Sequence, residues 1–320
     1  MSPTENQTGI KLSIIIVSWK VRQLVLDCLE SVYRHTRLPR DCYEIFLVDN
    51  DSGDGTVEAV RERFSDVHVI GNTDNVGYGA ANDQAYERSS APYALLLNPD
   101  TVLLDDAIGK MLDYMEAHGD VAILGSRLLN ADHSLQRWTA GAFPCLANAA
   151  AHYLFLNRVL PGFMKIDPLY LERDIDTVKE VDWVSGAVML LRRDHVGVPI
   201  FNPRFFMYGE DVEVCHRMKE AGWRVVYFPG ASVVHFQGKS MEQQEGDILL
   251  HALKGPRNFY TSVHGTTFTA LFDFFAVSGF FLRWVIYTVG STLGGNGHLK
   301  EKGKTAKRHL GMAVKVFFRK

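Results

Sequence analysis

Two kinds of apolar pattern alternate along the first part of the chain. Short stretches rich in β-branched residues or leucine predict buried strands at Leu12–Val17, Glu44–Val48, Val67–Gly71 and Ala94–Leu97. Between these strands, apolar residues recur at three- and four-residue spacing, as Val21, Val25 and Leu29 do, which predicts helices with one buried face. The alternation predicts an α/β fold in which a mostly parallel central sheet is flanked by crossover helices, an architecture typical of nucleotide-binding proteins.

The strand that contains Leu95 ends on polar residues that suggest chemistry. Pro99 cannot donate to a sheet ladder, so strand pairing should stop there and the chain should turn outward. Asp100 is then expected at the carboxyl edge of the sheet, where open α/β sheets bind ligands. A single carboxylate at this edge suits a divalent metal that takes its other ligands from water and from a substrate's phosphates. A polar turn in which Asp100 is only a cap explains the same residues.

The second part of the chain is predicted to be less regular. Strands are expected at Val121–Leu129, Val184–Arg192, Arg224–Phe228 and Ser232–Phe236. A helix is predicted to begin near Glu210 and to end before Gly222. The long irregular segment between the first two of these strands carries Trp138, and loops of this length in a compact domain are usually functional.

Composition and charge exclude some classes of protein. The chain has 320 residues and a formal net charge of −3, which argues against a general nucleic-acid binder because such proteins present a basic surface. Its four cysteines are scattered without metal-binding or redox spacing, so we expect reduced thiols in a reducing compartment. The polar residues 1–9 contain no apolar signal core, and we therefore expect no export.

Polar residues with chemical potential follow several of the predicted elements. Asp49 closes the second strand, Gly77 precedes a helix, and His235 ends the last strand. Asp211 lies at the predicted start of a helix. Taken singly, these residues are equally explained by an Asx-turn, a helix entry, a core histidine and a helix cap. Together with Asp100 they provide an acceptor for a base and ribose, a phosphate-facing backbone, two further carboxylates and an imidazole.

The same positions fall into motifs that resemble a known family. The motifs, in chain order, are Ser13–Trp19, Val48–Gly55, Asn75–Gly79, Asn98–Asp100, Trp183–Ala187, Phe206–Asp211 and His235–Ser240. As a set they resemble glycosyltransferase family 2, the inverting nucleotide-sugar transferases of the Rossmann-like glycosyltransferase-A fold. Leu135–Gln136 and Phe143–Pro144 further resemble the bacterial branch that includes rhamnosyltransferases of cell-surface polysaccharide assembly.

The resemblance implies a role for each group of residues. The residues that it assigns to donor binding are Val17, Ser18, Asp49, Asp51, Asn75, Gly77, Asn82, Asn98 and Lys239. The residues that it assigns to the acceptor are Trp183, Gly186, Ala187, Tyr208 and Glu210. It further implies that Asp211 is the general base and that Asp100 and His235 bind a divalent metal, Mn²⁺ or Mg²⁺. Asn98 stands where the family often has a first aspartate, so metal binding depends more on the donor and on His235.

The reaction implied by the resemblance is a hexosyl transfer with inversion. A sugar would move from a nucleotide-sugar donor, with dTDP-L-rhamnose favoured and a UDP-hexose next, to a lipid-linked saccharide. Attack opposite the leaving group needs no covalent intermediate, and the metal would neutralise the departing diphosphate. Two alternatives stay open. One is a nucleotidyltransferase of similar fold, which Ser18–Arg22 disfavours because it lacks glycine; the other is a catalytically inactive, membrane-recruited protein that binds sugar nucleotides.

The composition changes near the end of the chain. Leu271–Leu293 is mostly apolar and aromatic but contains Arg283, which would cost about 2.5–3.5 kcal/mol at the centre of a bilayer. A basic stretch follows from Lys300 onwards, so the sequence favours an interfacial helix whose lysines attract anionic lipid. A helix that spans the bilayer, a buried helix and a contact in a homo-oligomer are the alternatives.

These observations predict the organisation of the whole chain. We expect a disordered N-terminus at residues 1–10, a catalytic domain at 11–240 and a helical, membrane-associating extension at 241–320. The catalytic domain would divide into a nucleotide-sugar half at 11–120 and an acceptor half at 121–240. The protein is expected in the cytoplasm, peripheral to the inner face of the cell membrane.

Overall fold

The computed structural model describes residues 9–156, 160, 166, 169–171, 175–236, 245–294 and 297–318. Its contacts divide the chain into two units. The first unit takes its residues from 1–141, 170–206 and 210–243, and the second takes them from 142–169, 207–209 and 244–320. The predicted disordered N-terminus lies outside the described residues as far as residue 8, and so does Lys239.

The first unit is built on one large sheet and one small one. Its strands within the described residues are β1 (Leu12–Ser18), β2 (Tyr43–Asp49), β3 (His68–Gly71), β4 (Tyr93–Leu97), β5 (Thr101–Leu103), β6 (Val121–Leu129), β7 (Ala140–Gly141), β8 (Lys179–Glu180), β9 (Trp183–Val184), β10 (Val188–Arg192) and β11 (Arg224–His235). The large sheet has the order β3–β2–β1–β4–β10–β6–β11–β5, with β8 also paired to β11, and β7 pairs with β9 in the small sheet. In the large sheet β5, β8 and β10 run against the other strands, so this sheet is mostly parallel, as predicted.

Helices connect these strands and build the second unit. Within the part of the chain that the structure describes, the α-helices are α1 (Arg22–His35), α2 (Thr56–Arg63), α3 (Tyr78–Arg88), α4 (Ala107–Ala117), α5 (Leu146–Tyr153), α6 (Arg193–Val196), α7 (Glu210–Glu220), α8 (Glu245–Gly294) and α9 (Gly297–Phe318). The second unit contains α5, α8 and α9, and the first contains the others. Gly222 follows α7 with a φ of +87°, the left-handed conformation that commonly ends a helix.

The core of the first unit forms because its central strands are apolar on both faces. β1 is buried along almost its whole length and β4 along all of it, as expected for parallel strands covered by helices. α1 contributes Val25, Leu29 and Val32, which are fully buried in the same cluster as Ile14 and Ile16. Each side chain of this kind stabilises the fold by about 1.5–3 kcal/mol on leaving water. The packed sheet is the rigid base for the loops at its carboxyl edge.

Two predicted parts of the sheet differ from the observed ones. The prediction of one strand at Val184–Arg192 is wrong, because β9 ends at Val184 in the small sheet and only β10 enters the large one. The chain leaves regular pairing at Gly186, whose N–H donates to the side chain of Asp211. The prediction of two strands on either side of Pro229 is also wrong, because pairing of β11 with β6 resumes after a register shift there.

In the second unit, α8 folds back on itself at Gly265. This residue has a φ of +77°, which favours glycine, and it interrupts the helical backbone. A straight helix would separate residues 16 positions apart by about 24 Å. Instead, Nε of Arg257 lies 3.0 Å from a carboxylate oxygen of Asp273, and the rings of Tyr260 and Phe272 stack with centroids 5.0 Å apart. Helix α8 is therefore a helical hairpin.

The C-terminal arm of this hairpin holds α5. The guanidinium of Arg283 donates to the carbonyl oxygens of His152 and Tyr153, in the last turn of α5. Such carbonyls have no partner within their own helix, so a cation at this end is favourable. Arg283, which argued in the sequence against a helix that spans the bilayer, thus has its charge satisfied inside the second unit.

The outer face of the same arm is apolar and exposed. Five of its exposed apolar residues recur at helical spacing and are called here the apolar stripe: Leu271, Phe274, Phe281, Val285 and Val289. Within the described residues, one helical stretch, Arg257–Leu293, is long and apolar enough to cross a membrane by length and composition. Because the chain reverses at Gly265, the uninterrupted part of this stretch is 266–293, about 42 Å long.

Candidate active site

The carboxyl ends of three parallel strands meet at one edge of the large sheet. β2, β1 and β4 are neighbours, and Ser18 at the end of β1 is in register with Asp49 at the end of β2. Asn98 follows β4 directly, and its N–H donates to the carbonyl oxygen of Ala187 at 2.9 Å. Since neighbouring strands lie about 4.8 Å apart, these positions fall within about 10 Å of one another.

The buried carboxylate of Asp49 organises the loop that follows β2. Its Oδ1 accepts hydrogen bonds from the hydroxyls of Ser18 at 2.7 Å and Ser52 at 2.6 Å. Its Oδ2 accepts from the backbone N–H of Ser52 at 3.0 Å, so three of about four acceptor positions of this carboxylate are used. The Ser52 hydroxyl accepts in turn from the N–H of Lys20 at 2.8 Å. Asp51, next in the loop, is exposed and has a φ of +58°.

A network of amide side chains connects that loop with the one before α3. Nδ2 of Asn50 donates to Oδ1 of Asn75 at 3.3 Å and to the carbonyl oxygen of Gly77 at 3.2 Å. Oδ1 of Asn50 accepts from Asn72 at 2.8 Å. At Gly77 the φ is +89°, and an added Cβ would lie 2.5 Å from the carbonyl oxygen of Phe206. Because a side chain at this position would clash with the Phe206 carbonyl oxygen, the loop before α3 requires glycine here.

Strand pairing brings Asp100 and His235 together. β5 begins directly after Asp100 and pairs antiparallel with the end of β11, where Thr101 faces His235. The imidazole Nε2 of His235 lies 3.2 Å from Oδ1 of Asp100, and the N–H of Phe236 donates to the Asp100 carbonyl oxygen at 2.8 Å. Asp100 is 5% exposed and His235 9% exposed. The two residues predicted as metal ligands are therefore adjacent and nearly buried.

Gln136 contacts the other side of the same imidazole. Its Oε1 lies 2.9 Å from Nδ1 of His235, and its Nε2 donates to the His235 carbonyl oxygen at 2.5 Å. Gln136 is buried. The sequence placed this residue in a branch motif without giving it a role, and no spacing could have revealed a contact between residues 99 positions apart.

The donor set of this pair fits a divalent cation that is shared with a substrate. Within the described residues, no group of three or more histidine, cysteine, aspartate or glutamate side chains is placed to hold a metal ion. Asp100 and His235 offer two ligand atoms, and ligands on neighbouring corners of an octahedron with bonds of about 2.1 Å lie about 3.0 Å apart. The observed separation of 3.2 Å is close to that value. Mg²⁺ and similar ions commonly complete such a partial shell with water and substrate phosphates.

Asp211 is held near the N-terminus of α7 in a fixed orientation. Its Oδ2 accepts from the N–H of Gly186 at 3.2 Å, and its Oδ1 accepts from the N–H of Val212 at 2.8 Å. The carbonyl oxygen of the same Gly186 accepts from the hydroxyl of Tyr78 at 2.7 Å. Burial raises the pKa of Tyr78 well above its ordinary value, and the negative charges of Glu210 and Asp211 raise it further. Tyr78 therefore stays a protonated donor, and α3, Gly186 and α7 are tied together.

The segment that follows Gln136 carries Trp138, the first of three aromatic rings that contact one another in series. Trp183 in β9 meets Tyr170 edge to face, with ring centroids 6.1 Å apart, and Tyr170 stacks on Trp138 at 5.2 Å. The indole of Trp138 is 48% exposed, whereas Trp183 is buried. The N–H of Ser185 donates to the carbonyl oxygen of Thr139 at 3.0 Å, which links this segment to the neighbourhood of Gly186.

The other residues assigned from the sequence lie in varied surroundings. Val17 is half-buried near the end of β1, and Asn82 is buried in α3, where its Nδ2 donates to the Tyr78 carbonyl oxygen at 2.9 Å. Tyr208 has a φ of +69° and belongs to the second unit. Glu210 is buried at the start of α7. The assignment to Lys239 falls outside the described residues.

The sequence is similar to a family model and to named bacterial proteins. The model of Glycosyl transferase family 2 matches residues 13–196. The N-acetylglucosaminyl-diphospho-decaprenol L-rhamnosyltransferase of Mycobacterium tuberculosis is 30% identical over 212 residues, which cover 61% of this chain and 67% of that protein. Rhamnosyltransferase WbbL of Escherichia coli K12 is 28% identical over 171 residues, which cover 53% of this chain and 61% of that protein.

Solved structures are similar over nearly the whole chain. The mannosyltransferase PcManGT from Pyrobaculum calidifontis, in complex with GDP-Man and Mn²⁺, has a TM-score of 0.62 at 14% identity and covers 98% of this chain and 88% of that chain. GalNAc-T7 with UDP, GalNAc and Mn²⁺ has a TM-score of 0.57 at 13% identity and covers 97% and 57% of the two chains. At these identities the similarity shows the fold, and the predicted glycosyltransferase-A fold is confirmed.

Proposed function

Because the chain belongs to glycosyl transferase family 2 and has rhamnosyltransferases among its relatives, we propose that it transfers L-rhamnose with inversion in the assembly of a cell-surface polysaccharide. The proposed donor is dTDP-L-rhamnose, with a UDP-hexose as the second choice. The proposed acceptor is a lipid-linked saccharide. Two relatives named rhamnosyltransferases support the sugar, and the decaprenol-linked substrate in the name of the mycobacterial relative supports the class of acceptor.

The observation that carries this proposal is the buried Asp100–His235 pair at the carboxyl edge of the sheet. The pair holds two ligand atoms 3.2 Å apart, beside strands whose ends carry Ser18, Asp49 and Asn98. Open α/β sheets bind nucleotides at this edge. A donor whose base and ribose occupy the Asp49 loop would direct its diphosphate towards Asp100 and His235.

Asp100 and His235 would hold Mn²⁺ or Mg²⁺ together with the donor. When bound, the metal supplies positive charge that stabilises the departing nucleoside diphosphate. Asn98 adds no charge, so Asp100 is the one carboxylate that the metal motif itself gives to this site. We therefore expect donor and metal to bind cooperatively, because each completes the surroundings of the other.

Asp211 is proposed as the general base. Its hydrogen bonds to the backbone N–H groups of Gly186 and Val212 fix the direction of its carboxylate. The acceptor hydroxyl would give its proton to Asp211 while its oxygen forms a bond to the anomeric carbon. The bond from that carbon to the diphosphate oxygen breaks on the opposite face, and the configuration is inverted.

The remaining residues are proposed to bind the two substrates. For the donor they are Val17, Ser18, Asp49, Asp51, Asn75, Gly77, Asn82, Asn98 and Lys239. For the acceptor they are Trp183, Gly186, Ala187, Tyr208 and Glu210. The three hydrogen bonds of the Asp49 carboxylate support a role in shaping the base pocket, because they hold the loop that carries exposed Asp51.

The second unit is proposed to hold the protein at the inner face of the cell membrane. The apolar stripe on α8 supports this proposal, and so do exposed lysines on α9, among them Lys300, Lys304 and Lys307. Aromatic and aliphatic side chains suit the headgroup boundary, and lysines are attracted to anionic lipid. Attachment to the membrane would bring the protein to the surface in which a lipid-linked acceptor is held.

The test is nucleoside diphosphate release from a panel of nucleotide sugars, measured with Mn²⁺, with Mg²⁺ and with chelator. We expect dTDP release from dTDP-L-rhamnose that requires metal and rises when a polyprenyl-diphosphate saccharide is added. Release from UDP-hexoses alone would replace the proposed donor. Pyrophosphate release from a nucleoside triphosphate and a sugar phosphate would instead indicate a nucleotidyltransferase. Donor binding without turnover would indicate an inactive binding protein.

A further inference from the structure

The orientation of the Gln136 side chain is determined by the backbone. One end of its amide lies 2.5 Å from the carbonyl oxygen of His235. A peptide carbonyl only accepts hydrogen bonds, so the amide atom that faces it must be the NH₂ group. The other end, 2.9 Å from the ring nitrogen Nδ1 of His235, is therefore the amide oxygen Oε1.

That orientation determines where the imidazole carries its hydrogen. The amide oxygen of Gln136 only accepts, so Nδ1 of His235 must carry the N–H. In the neutral ring the lone pair is then on Nε2, the atom 3.2 Å from Oδ1 of Asp100. Two lone pairs facing each other at this distance repel unless a proton or a metal ion lies between them. The pair is thus built to receive positive charge.

We propose that Gln136 is a positioning residue, which selects the Nδ1–H tautomer of His235 and thereby makes Nε2 a metal ligand. This inference rests on the proposed metal-dependent function of the same site. Residues that contact metal ligands commonly act in this way: they form a hydrogen bond with the second nitrogen of a ligating imidazole and fix the orientation of the ring. Gln136 does so with both ends of its amide, because it contacts the ring and the backbone of one residue.

The main chain around Gln136 keeps that amide in place. The N–H of Gln136 donates to the carbonyl oxygen of Leu128 at 2.9 Å, and its own carbonyl oxygen accepts from the hydroxyl of Thr139 at 2.8 Å. Leu128 belongs to β6, which pairs with the β11 strand that ends in His235. Gln136 is therefore held by β6 and His235 by β11, and these two strands are neighbours in one sheet.

The choice of glutamine follows from these two contacts. A glutamate would still accept from Nδ1, but it would place a carboxylate oxygen against the His235 carbonyl oxygen in place of a donor. A leucine of similar size would make neither bond. Gln136→Leu and Gln136→Glu therefore separate tautomer selection from packing, and Gln23→Leu on α1 repeats the first change at an exposed position.

The test uses the full chain without metal and then with metal. Nitrogen-15 spectra of the histidine rings, at a pH where they are neutral, report the tautomer, and His235→Asn identifies the His235 signals. We expect the Nδ1–H form in the native protein, in Gln136→Glu and in Gln23→Leu, and its loss in Gln136→Leu. An Nε2–H ring in the native protein, or an unchanged ring in Gln136→Leu, would overturn the proposal.

A second measurement is Mn²⁺ binding in the presence of a nucleoside diphosphate, followed by electron paramagnetic resonance. We expect Gln136→Leu to weaken Mn²⁺ binding about 10–100-fold, which is the usual effect of removing a residue that hydrogen-bonds to a metal ligand. Gln136→Glu should restore most of this affinity. If Mn²⁺ affinity is equal in all variants, Gln136 does not serve the metal and the proposal is overturned. If the native protein shows the Nδ1–H ring but binds no Mn²⁺, the proposed metal function fails while tautomer selection by Gln136 stands.

Discussion

The role of Asp211 is decided by removing one negative charge. Asp211→Asn keeps an oxygen that can accept from Gly186 or Val212 but cannot take the acceptor proton. We expect turnover to fall about 10²–10⁴-fold, the usual contribution of a general base, while the donor dissociation constant stays the same. Steady-state kinetics and calorimetric donor binding measure the two quantities. Glu220→Gln, at the exposed end of α7, is the control, and near-native turnover of Asp211→Asn would reduce Asp211 to a helix cap.

Asp100 is the carboxylate of the proposed metal pair, so its neutral variant should lose the effect of metal on donor binding. We expect Asp100→Asn to weaken the Mn²⁺-dependent part of donor affinity by more than about 10-fold, because even residues behind metal ligands contribute that much. Calorimetry of donor binding with and without Mn²⁺ measures this part. The matched control is Asp105→Asn, whose carboxylate is exposed and pairs with Lys110. An unchanged metal dependence in Asp100→Asn would remove Asp100 from the site.

Residue types at strand ends were predictable, but their hydrogen bonds were not. Asp100 and His235 follow apolar runs, and the shared edge of a sheet explains why both were predicted at one site. Two of the hydrogen bonds that the Asp49 carboxylate accepts come from Ser52. The sequence pattern did not predict them, because it requires only a turn-forming residue at this position. The contact of Gln136 depends on the pairing of β6 with β11, which periodicity does not specify.

At the scale of elements, the Arg257–Asp273 ion pair is expected to stabilise the hairpin in α8, together with the Tyr260–Phe272 stack. Asp273 is nearly buried, so loss of its partner Arg257 leaves a desolvated carboxylate. We expect Arg257→Met to lower the free energy of unfolding of the second unit by about 3 kcal/mol, at the lower end for a broken buried pair because the Arg257 side chain is 30% exposed.

Denaturant unfolding followed by tryptophan fluorescence measures this loss. Lys254→Met, an exposed cation on the same helix, should leave the unfolding midpoint unchanged. Arg257→Met combined with Asp273→Leu should recover most of the stability, because an apolar pair replaces an unpaired charge. Equal unfolding midpoints for Arg257→Met and the native chain would show that the pair does not hold the hairpin.

The helices and strands were predictable to the extent that their periodicity is uninterrupted. The strands β1, β2 and β6 agree with their apolar runs, because a buried parallel strand needs no other signal. The hairpin was not predicted because helical spacing continues on both sides of Gly265. A single glycine within a helical pattern is not enough to predict that the chain reverses its direction. The break before β10 escaped prediction for a related reason, since Gly186 lies between two apolar stretches that together predict one strand.

At the scale of the whole molecule, the apolar stripe is expected to bind lipid. Phe274 and Phe281 are both more than half exposed, and each side chain would contribute about 1.5 kcal/mol or more on leaving water. The double variant Phe274→Ser and Phe281→Ser should therefore bind anionic vesicles about 100-fold more weakly than the native chain. Vesicle flotation at low salt measures the difference.

Two controls separate lipid binding from other uses of the stripe. Val178→Ser, an exposed apolar residue of the first unit, should float as the native chain does. High salt should weaken native binding, because each lysine near an anionic surface contributes about 1 kcal/mol that salt screens. A native chain that never floats but forms dimers in which the stripe is protected would assign this surface to an oligomer contact.

The large-scale organisation was only partly readable from the sequence. The apolar Leu271–Leu293 segment and the basic stretch after it are compositional and were visible at once. The grouping of residues 142–169 with the C-terminal helices was not visible, because it depends on contacts between distant segments such as that of Arg283 with Tyr153. The boundary predicted at residue 240 stays a prediction.

The Arg283 contact also has a consequence for how the chain is made. Its partner Tyr153 leaves the ribosome 130 residues earlier, and at about 5–20 residues per second this is a delay of roughly 7–26 s. Until Tyr260 and Phe272 have been made, shortly before Arg283, α5 has neither its cation nor these packing partners. A chain that stops before Tyr260 would keep α5 in this state permanently. We expect such products to aggregate or to be degraded, so C-terminal truncation is a poor way to make a soluble form of this protein.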